Sequence, residues 1–388
     1  MYRGNMIGYC TNVHAGADLE QTWNNLRRFA PAVKKLVSPN SFMGVGLWLS
    51  ARTARQLRES RQKLEFAGWL RGQGFIPYTM NGFPYGDFHQ QVVKHRVYEP
   101  TWMDASRLNY TRDLIAILDL YLLPGIGATI STLPVAWGEP ELTPSQWEAA
   151  AANLRQCAME LHELLEDAGR PMSLCLEPEP GCVLDHGQDV VDFFENYLLR
   201  DGDEDVIRRH IQVCHDVCHA AVMFESQREV LQTYYDAGIG VGKMQISSAV
   251  ALDAEGLSAE QYSEAMTQLW SFAEDRYLHQ TSLRRSPQSP PELYCDLPSA
   301  LVAASRDEVA QQQWRVHFHV PIYLEEFGGL RTTQAEIGEC LEVQRELFPW
   351  AQLEVETYAW NVLPEDLRIE NLSQGIAREL NWLKGKLG

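Results

Sequence analysis

The sequence predicts an α/β chain closed into a (β/α)8 barrel with a large insertion late in the barrel. Short β-type runs alternate with long amphipathic helices from one end to the other, which predicts a parallel sheet buried on both faces. Eight or nine such runs favour a closed barrel over an open doubly wound sheet. No G-x-G-x-x-G leads from a strand into a helix, so a dinucleotide-binding fold loses its main support. The length of 388 residues suits such a barrel, with insertions, as one domain over 1–388.

Asp18 is placed to cap a first helix whose apolar positions Leu19, Trp23, Leu26, Phe29, Val33 and Leu36 keep helical spacing. Thr143 and Pro144 open a second, with Trp147, Ala151, Leu154, Ala158, Leu161 and Leu165 on one face, and Gly169 and Pro171 end it. Thr333 with Glu336 predicts a capping box ahead of Ile337, Leu341, Gln344 and Phe348. The strand candidates are the runs 6–13, 43–49, 75–80, 128–133, 172–176, 211–215, 243–247, 314–322 and 353–357. Two segments exceed a minimal barrel. One is an aromatic loop at 82–102; the other is an insertion at 252–313 with a proline-rich middle, SPQSPP. Long loops of this kind are functional lids or tolerated surface insertions.

Composition narrows the partners. With 45% hydrophobic and 22% charged residues the chain is ordinary globular material. Lys plus Arg number 33 against 52 Asp plus Glu, a formal charge of -19. Such a surface repels phosphate backbones and anionic membranes, so a small-molecule metabolite is the expected partner and nucleic acid is not. The N-terminus turns polar before a signal-peptide core forms, and the most apolar stretch, 114–130, is broken by Asp119 and Pro124. No membrane span is expected. The eight cysteines are scattered without a C-x-x-C pair, which predicts free thiols in a cytoplasmic protein. A homo-oligomer stays open.

Polar residues at the C-terminal ends of barrel strands converge on one site. Glu177 and Glu179 follow MSLCL, Asp216 and His219 follow IQVC, Gln245 lies in KMQIS, and Glu356 ends LEVET. Glu177, Asp216 and Glu356 delivered to one mouth repel one another unless a divalent cation sits between them, and hard oxygen ligands suit Mn2+ or Mg2+. The alternative is that each acid caps a helix or pairs with an Arg. His219, three residues after Asp216, arches over the same site or is a satisfied structural group. His317 and His319 point the same way from one strand. The flanking Val316, Phe318 and Val320 form the helix-packed set, which turns the histidines inward; packing between strand and helix is the alternative. Asn12, His14, Trp48 and Asn81 end the first three strands and suit a hydroxylated ligand, or serve as turn and core residues.

These positions resemble the xylose-isomerase-like TIM barrels of the sugar phosphate isomerase and epimerase superfamily. The residues that carry the resemblance are Glu177 in LEPEPG, Asp216 with His219 in HDVCH, Gln245 in KMQIS and Glu356 in EVETYAW. More narrowly, YTMNGFPYGDFH, VKHRVYEPTW, ATISTLP, CLEPEPGC, HDVCH, HFHVPIY and VETYAW look like the EboE family of metabolite-traffic barrels. The resemblance implies a divalent metal held by Glu177, Asp216, Gln245 and Glu356, with His317 or His319 replacing Gln245 if HFHVP is the seventh strand. It implies Glu177, Glu356 and His219 as catalytic residues of an isomerase or epimerase. His14, Trp48, Asn81, Glu179, His317 and His319 are then the substrate-binding set. A metabolite-binding protein without turnover is the alternative function.

Overall fold

The computed structural model describes residues 6–304, 312–368 and 371–388. Fourteen strands lie among them. They are β1 (Ile7–Tyr9), β2 (Met43–Trp48), β3 (Phe75–Asn81), β4 (Ala128–Thr132), β5 (Met172–Leu176), β6 (Ile211–Asp216) and β7 (Val241–Ile246). Then follow β8 (Val250–Asp253), β9 (Thr281–Arg284), β10 (Glu292–Tyr294), β11 (Gln313–Val316), β12 (Glu326–Phe327), β13 (Leu330–Thr332) and β14 (Gln352–Val355).

Eight of these close a parallel barrel in the order β1-β14-β7-β6-β5-β4-β3-β2, and a parallel bridge from Cys10 to Gly46 joins its two edges. Strands β2, β3, β4, β5 and β7 are buried at every position, as strands covered on both faces must be. The long helices between them pack outside. The one at Pro144–Ala168 has both halves of its capping box, Thr143 with Gln146, and ends on Gly169 at φ 63°. The helix at Leu19–Val37 is capped by Asp18.

The bore contains charge. Lys243 Nζ lies 2.7 Å from Glu354 Oε2, and both side chains are wholly buried. Lys243 also donates to the Ser131 hydroxyl. Space for this pair depends on Gly46, where a Cβ would fall 1.3 Å from Glu354 Oε1.

The other six strands form an antiparallel sheet, β10-β9-β11-β8-β13-β12. Its strands run from Val250 to Thr332. Two expectations are corrected here. The run 314–322 is not a barrel strand. Its first residues form β11 against β8 and β9, and the Phe318 amide turns back onto the Val316 carbonyl, ending the strand. KMQIS therefore lies on the seventh barrel strand, and HFHVP is an irregular segment between β11 and β12 of the second sheet. Finally, Thr333 makes no capping box, because its hydroxyl accepts from the Ala249 amide and Glu336 accepts from Gln227. No helix among the described residues is long and apolar enough to cross a membrane. All eight cysteines are free thiols, buried except Cys295.

Candidate metal centre

The acids reach the mouth of the barrel because the strands end on them. Glu177 follows β5, and its amide donates to the Thr132 carbonyl at the end of β4. Asp216 is the last residue of β6 and caps the short helix behind it through the His219 amide. Glu356 follows β14 and is tied through its amide to the Ile246 carbonyl at the end of β7. Ligand oxygens of Glu177, Asp216 and Glu356 lie within 4.8 Å of one another, and all three residues are buried.

Neighbours hold the Glu356, Asp216 and Glu179 carboxylates in place. Glu356 Oε1 accepts from the amides of Asn12 at 2.7 Å and Asn81 at 2.9 Å. Asp216 Oδ1 accepts from the Ser247 hydroxyl at 2.6 Å and the His219 amide at 3.0 Å. Asp216 Oδ2 and Glu177 Oε2 are buried without a hydrogen-bond partner. Glu179 Oε1 accepts from Tyr98 at 2.7 Å and Gln280 at 3.0 Å.

Electrostatics follow from this crowding. Burial, with Glu356 and Asp216 adding repulsion, pushes the Glu177 carboxyl well above its usual range. Burial, then Asp216 and Glu354, pushes Glu356 up to about 8. Burial raises Glu179 as well. Burial also works against the Asp216 charge, but the His219 and His319 rings and the Ser247 hydroxyl outweigh it and hold this acid low. Burial works against the charge on Lys243, and Glu354 outweighs it, keeping the ammonium charged below the cluster. Three buried acids with free oxygens, of which burial and mutual repulsion raise two, are a donor set that a divalent cation fits.

The histidines reach the same place by other routes. His219 Nδ1 lies 2.7 Å from the Pro178 carbonyl. His317 Nδ1 lies 2.8 Å from Gln280 Oε1, and His319 Nδ1 lies 2.6 Å from the Glu356 carbonyl. Burial lowers His319 to about 4 and His317 well below the usual imidazole range. A cavity of about 60 Å³ opens onto these groups. Asn12, Asn81, Glu177, Glu179, His219, His317, His319 and Glu356 line it. Phe83, Phe88, Val93, Val97, Tyr277, Leu278 and Tyr358 supply its apolar wall. One water needs roughly 10–15 Å³ on this measure, so the space holds about four to six. That is room for a small metabolite.

Not every anticipated residue arrives here. His14 stacks on Phe29 with ring centroids 4.7 Å apart and lies 3.2 Å from the Tyr9 hydroxyl; it does not line the cavity. Trp48 is buried with its indole donating to the Pro84 carbonyl, also away from the cavity lining. Gln245 pairs in register with Asp216 and Glu354 and is fully buried, outside the cavity lining, with both amide atoms unpartnered. Tyr98, Tyr277, Leu278 and Gln280 are contributors that the sequence did not single out. Lys243 had a visible signal, a lone cation inside an apolar strand.

No family model matches the chain, and no curated protein matches it. Solved structures do. A xylose isomerase-like TIM barrel protein from Mycobacterium smegmatis, in complex with magnesium, aligns over 100% of this chain and 98% of its own, with a TM-score of 0.52 at 13% identity. D-allulose 3-epimerase from Methylomonas sp., in complex with D-allulose, aligns over 98% and 97%, with a TM-score of 0.51 at 10% identity. The fold is therefore that of the xylose-isomerase-like TIM barrels, with an extra antiparallel sheet inserted late in the chain.

Proposed function

We propose that this chain is a divalent-metal-dependent isomerase or epimerase of a small polyhydroxylated or α-hydroxycarbonyl metabolite. The observation that carries the proposal is the trio Glu177, Asp216 and Glu356, three strand-end carboxylates within 4.8 Å of one another beside a cavity. Mn2+ or Mg2+, held by these three with Gln245 as a fourth ligand, supplies Lewis-acid polarisation of a substrate oxygen. The chain's own residues do the rest. Glu177 and Glu356 remove and return the proton on the carbon beside that oxygen. Asn12 and Asn81 fix the Glu356 carboxylate for this work, and His219 orients a substrate hydroxyl. Glu179, His317 and His319 line the substrate space. The magnesium and the D-allulose named with the two structural neighbours are carried to this chain as part of this proposal alone.

A second reading is metabolite binding without turnover, as in an EboE-type traffic protein. The apolar wall of the cavity favours it, since Phe83, Phe88, Tyr277 and Tyr358 suit capture more than proton transfer. Glu177→Gln separates the two. For an enzyme, turnover of a panel of ketoses and hydroxycarbonyl acids falls by about a thousandfold or more with the fold intact. A wild-type chain that binds a panel member tightly and converts none supports the binder.

A further inference from the structure

The aromatic loop and the inserted sheet meet at one buried amide, the side chain of Gln280. This residue stands immediately before β9. The pairing of Thr281 with Val316 carries on one step further there, where the His317 amide donates to the Gln280 carbonyl. The Gln280 side chain is wholly buried and bonded at both ends. Its Nε2 lies 2.8 Å from the Tyr98 hydroxyl of the aromatic loop, 3.0 Å from Glu179 Oε1 and 3.1 Å from the Pro180 carbonyl. Its Oε1 lies 2.8 Å from His317 Nδ1. A main-chain carbonyl only accepts, so the group facing Pro180 is the NH2 and the atom facing His317 is the oxygen. That oxygen also only accepts, which places a proton on His317 Nδ1. Burial, then the rings of His219, His319 and His279, holds this imidazole well below its usual range, so the ring is neutral and Nε2 carries a lone pair. The ring lines the cavity, and its Nε2 is buried without a partner.

We propose that Gln280 is a positioning residue: it sets His317 as a hydrogen-bond acceptor for a hydroxyl of the bound metabolite and holds Glu179 beside it. One amide does both, because its oxygen fixes the imidazole proton on the far side of the ring and its NH2 fixes the carboxylate. A buried lone pair without a partner is costly, and a ligand hydroxyl satisfies it. A carbonyl, ether or carboxylate oxygen at that point does not, since two acceptors would face each other. His317 therefore selects for a donor at one position of the ligand, and it does so through the register between β9 and β11. The inserted sheet takes part in recognition, with Tyr98 of the aromatic loop tied to the same amide. What the ligand is rests on the functional reading above; the place of the proton on His317 does not.

Nitrogen-15 NMR of the full chain, labelled in its histidine rings, reads the proton position, and His317→Phe identifies the His317 signals. The Nδ1-protonated form is expected in the unmodified chain. Gln280→Met is similar in length and cannot accept, so it should move His317 to an Nε2-protonated or mixed form. Gln280→Glu still offers an oxygen and should keep the proton on Nδ1. With a ketose that the chain converts, Gln280→Met should raise KM by about 3- to 10-fold, the worth of one hydrogen bond, and change kcat less. Because Gln280 acts through His317, the KM effects of Gln280→Met and His317→Phe should be less than additive. An Nε2 proton in the unmodified chain overturns the proposal, as does a His317 proton that stays in place in Gln280→Met, or full additivity of the two substitutions. If Gln280→Met does not fold, the spectrum of the unmodified chain decides. A chain that converts no ketose bears on the functional reading, and the nitrogen signals then decide this proposal by themselves.

Discussion

Glu379 is the clearest single residue outside the candidate centre. Its carboxyl accepts from the Thr357 hydroxyl at 2.6 Å and the Ile322 amide at 3.2 Å, and burial pushes it up to about 8. The unfolded chain releases this proton near 4.5 and the folded chain near 8. Between those values the folded state holds the extra proton, so stability falls as pH rises through that window. Glu379→Gln is neutral in both states. It should flatten part of this slope and melt above the parent at pH 9, while differing little at pH 5. Melting curves across that range check it; an unchanged slope would assign the carboxyl a normal acidity. Proximity to a strand end did not by itself bring a residue to the cavity. After β1 the chain makes a 3-10 turn, Thr11–Val13, whose Asn12 faces Glu356 and whose next residue, His14, is carried away onto Phe29.

The barrel strands were legible because strands buried on both faces read as unbroken apolar runs, and their ends were readable to within a residue or two except in the first, where the run 6–13 shortens to β1 at Ile7–Tyr9 and a 3-10 turn follows. The inserted strands were not. All six are two to four residues long and carry no period, and HFHV alternates like a strand although it lies just past the end of β11 and pairs in no sheet. Thr333 shows the same limit. Its spacing from Glu336 fits a capping box, yet the hydroxyl is used to tie the helix to the Ala249 amide. Thr333→Val keeps the shape and orphans that buried amide, so a loss of about 1–3 kcal/mol in urea unfolding is expected. A change below a few tenths would mean that the tie carries no weight. Gly46→Ala is the severe case for the barrel. Its Cβ would occupy the Glu354 carboxylate position, expelling one partner of a wholly buried ion pair, and a loss of about 3–5 kcal/mol is expected. Soluble expression and chemical unfolding measure it; tolerance would show that the pair rearranges freely.

At the scale of the molecule, the acid cluster links metal, proton and fold. Glu177 and Glu356 are both raised, so cation binding must displace protons from them. The stabilisation by Mn2+ should therefore shrink as pH falls from 8 toward 5. At saturation a hundredfold above the dissociation constant it amounts to about 2.7 kcal/mol. Thermal shifts at several pH values check this, and a gain independent of pH would place the ion elsewhere. The inserted sheet also sets the timing of assembly. Between the end of β7 at Ile246 and the start of β14 at Gln352 lie 105 residues, from 352 − 246 − 1. At roughly 5–20 residues per second, a ribosome takes about 5–20 s to make them. Throughout that interval seven strands exist with the first and seventh unpaired on their outer edges, and β14 is the strand that joins them. The nascent chain thus presents two open strand edges to its surroundings for seconds, the period in which it is most exposed to pairing with another chain.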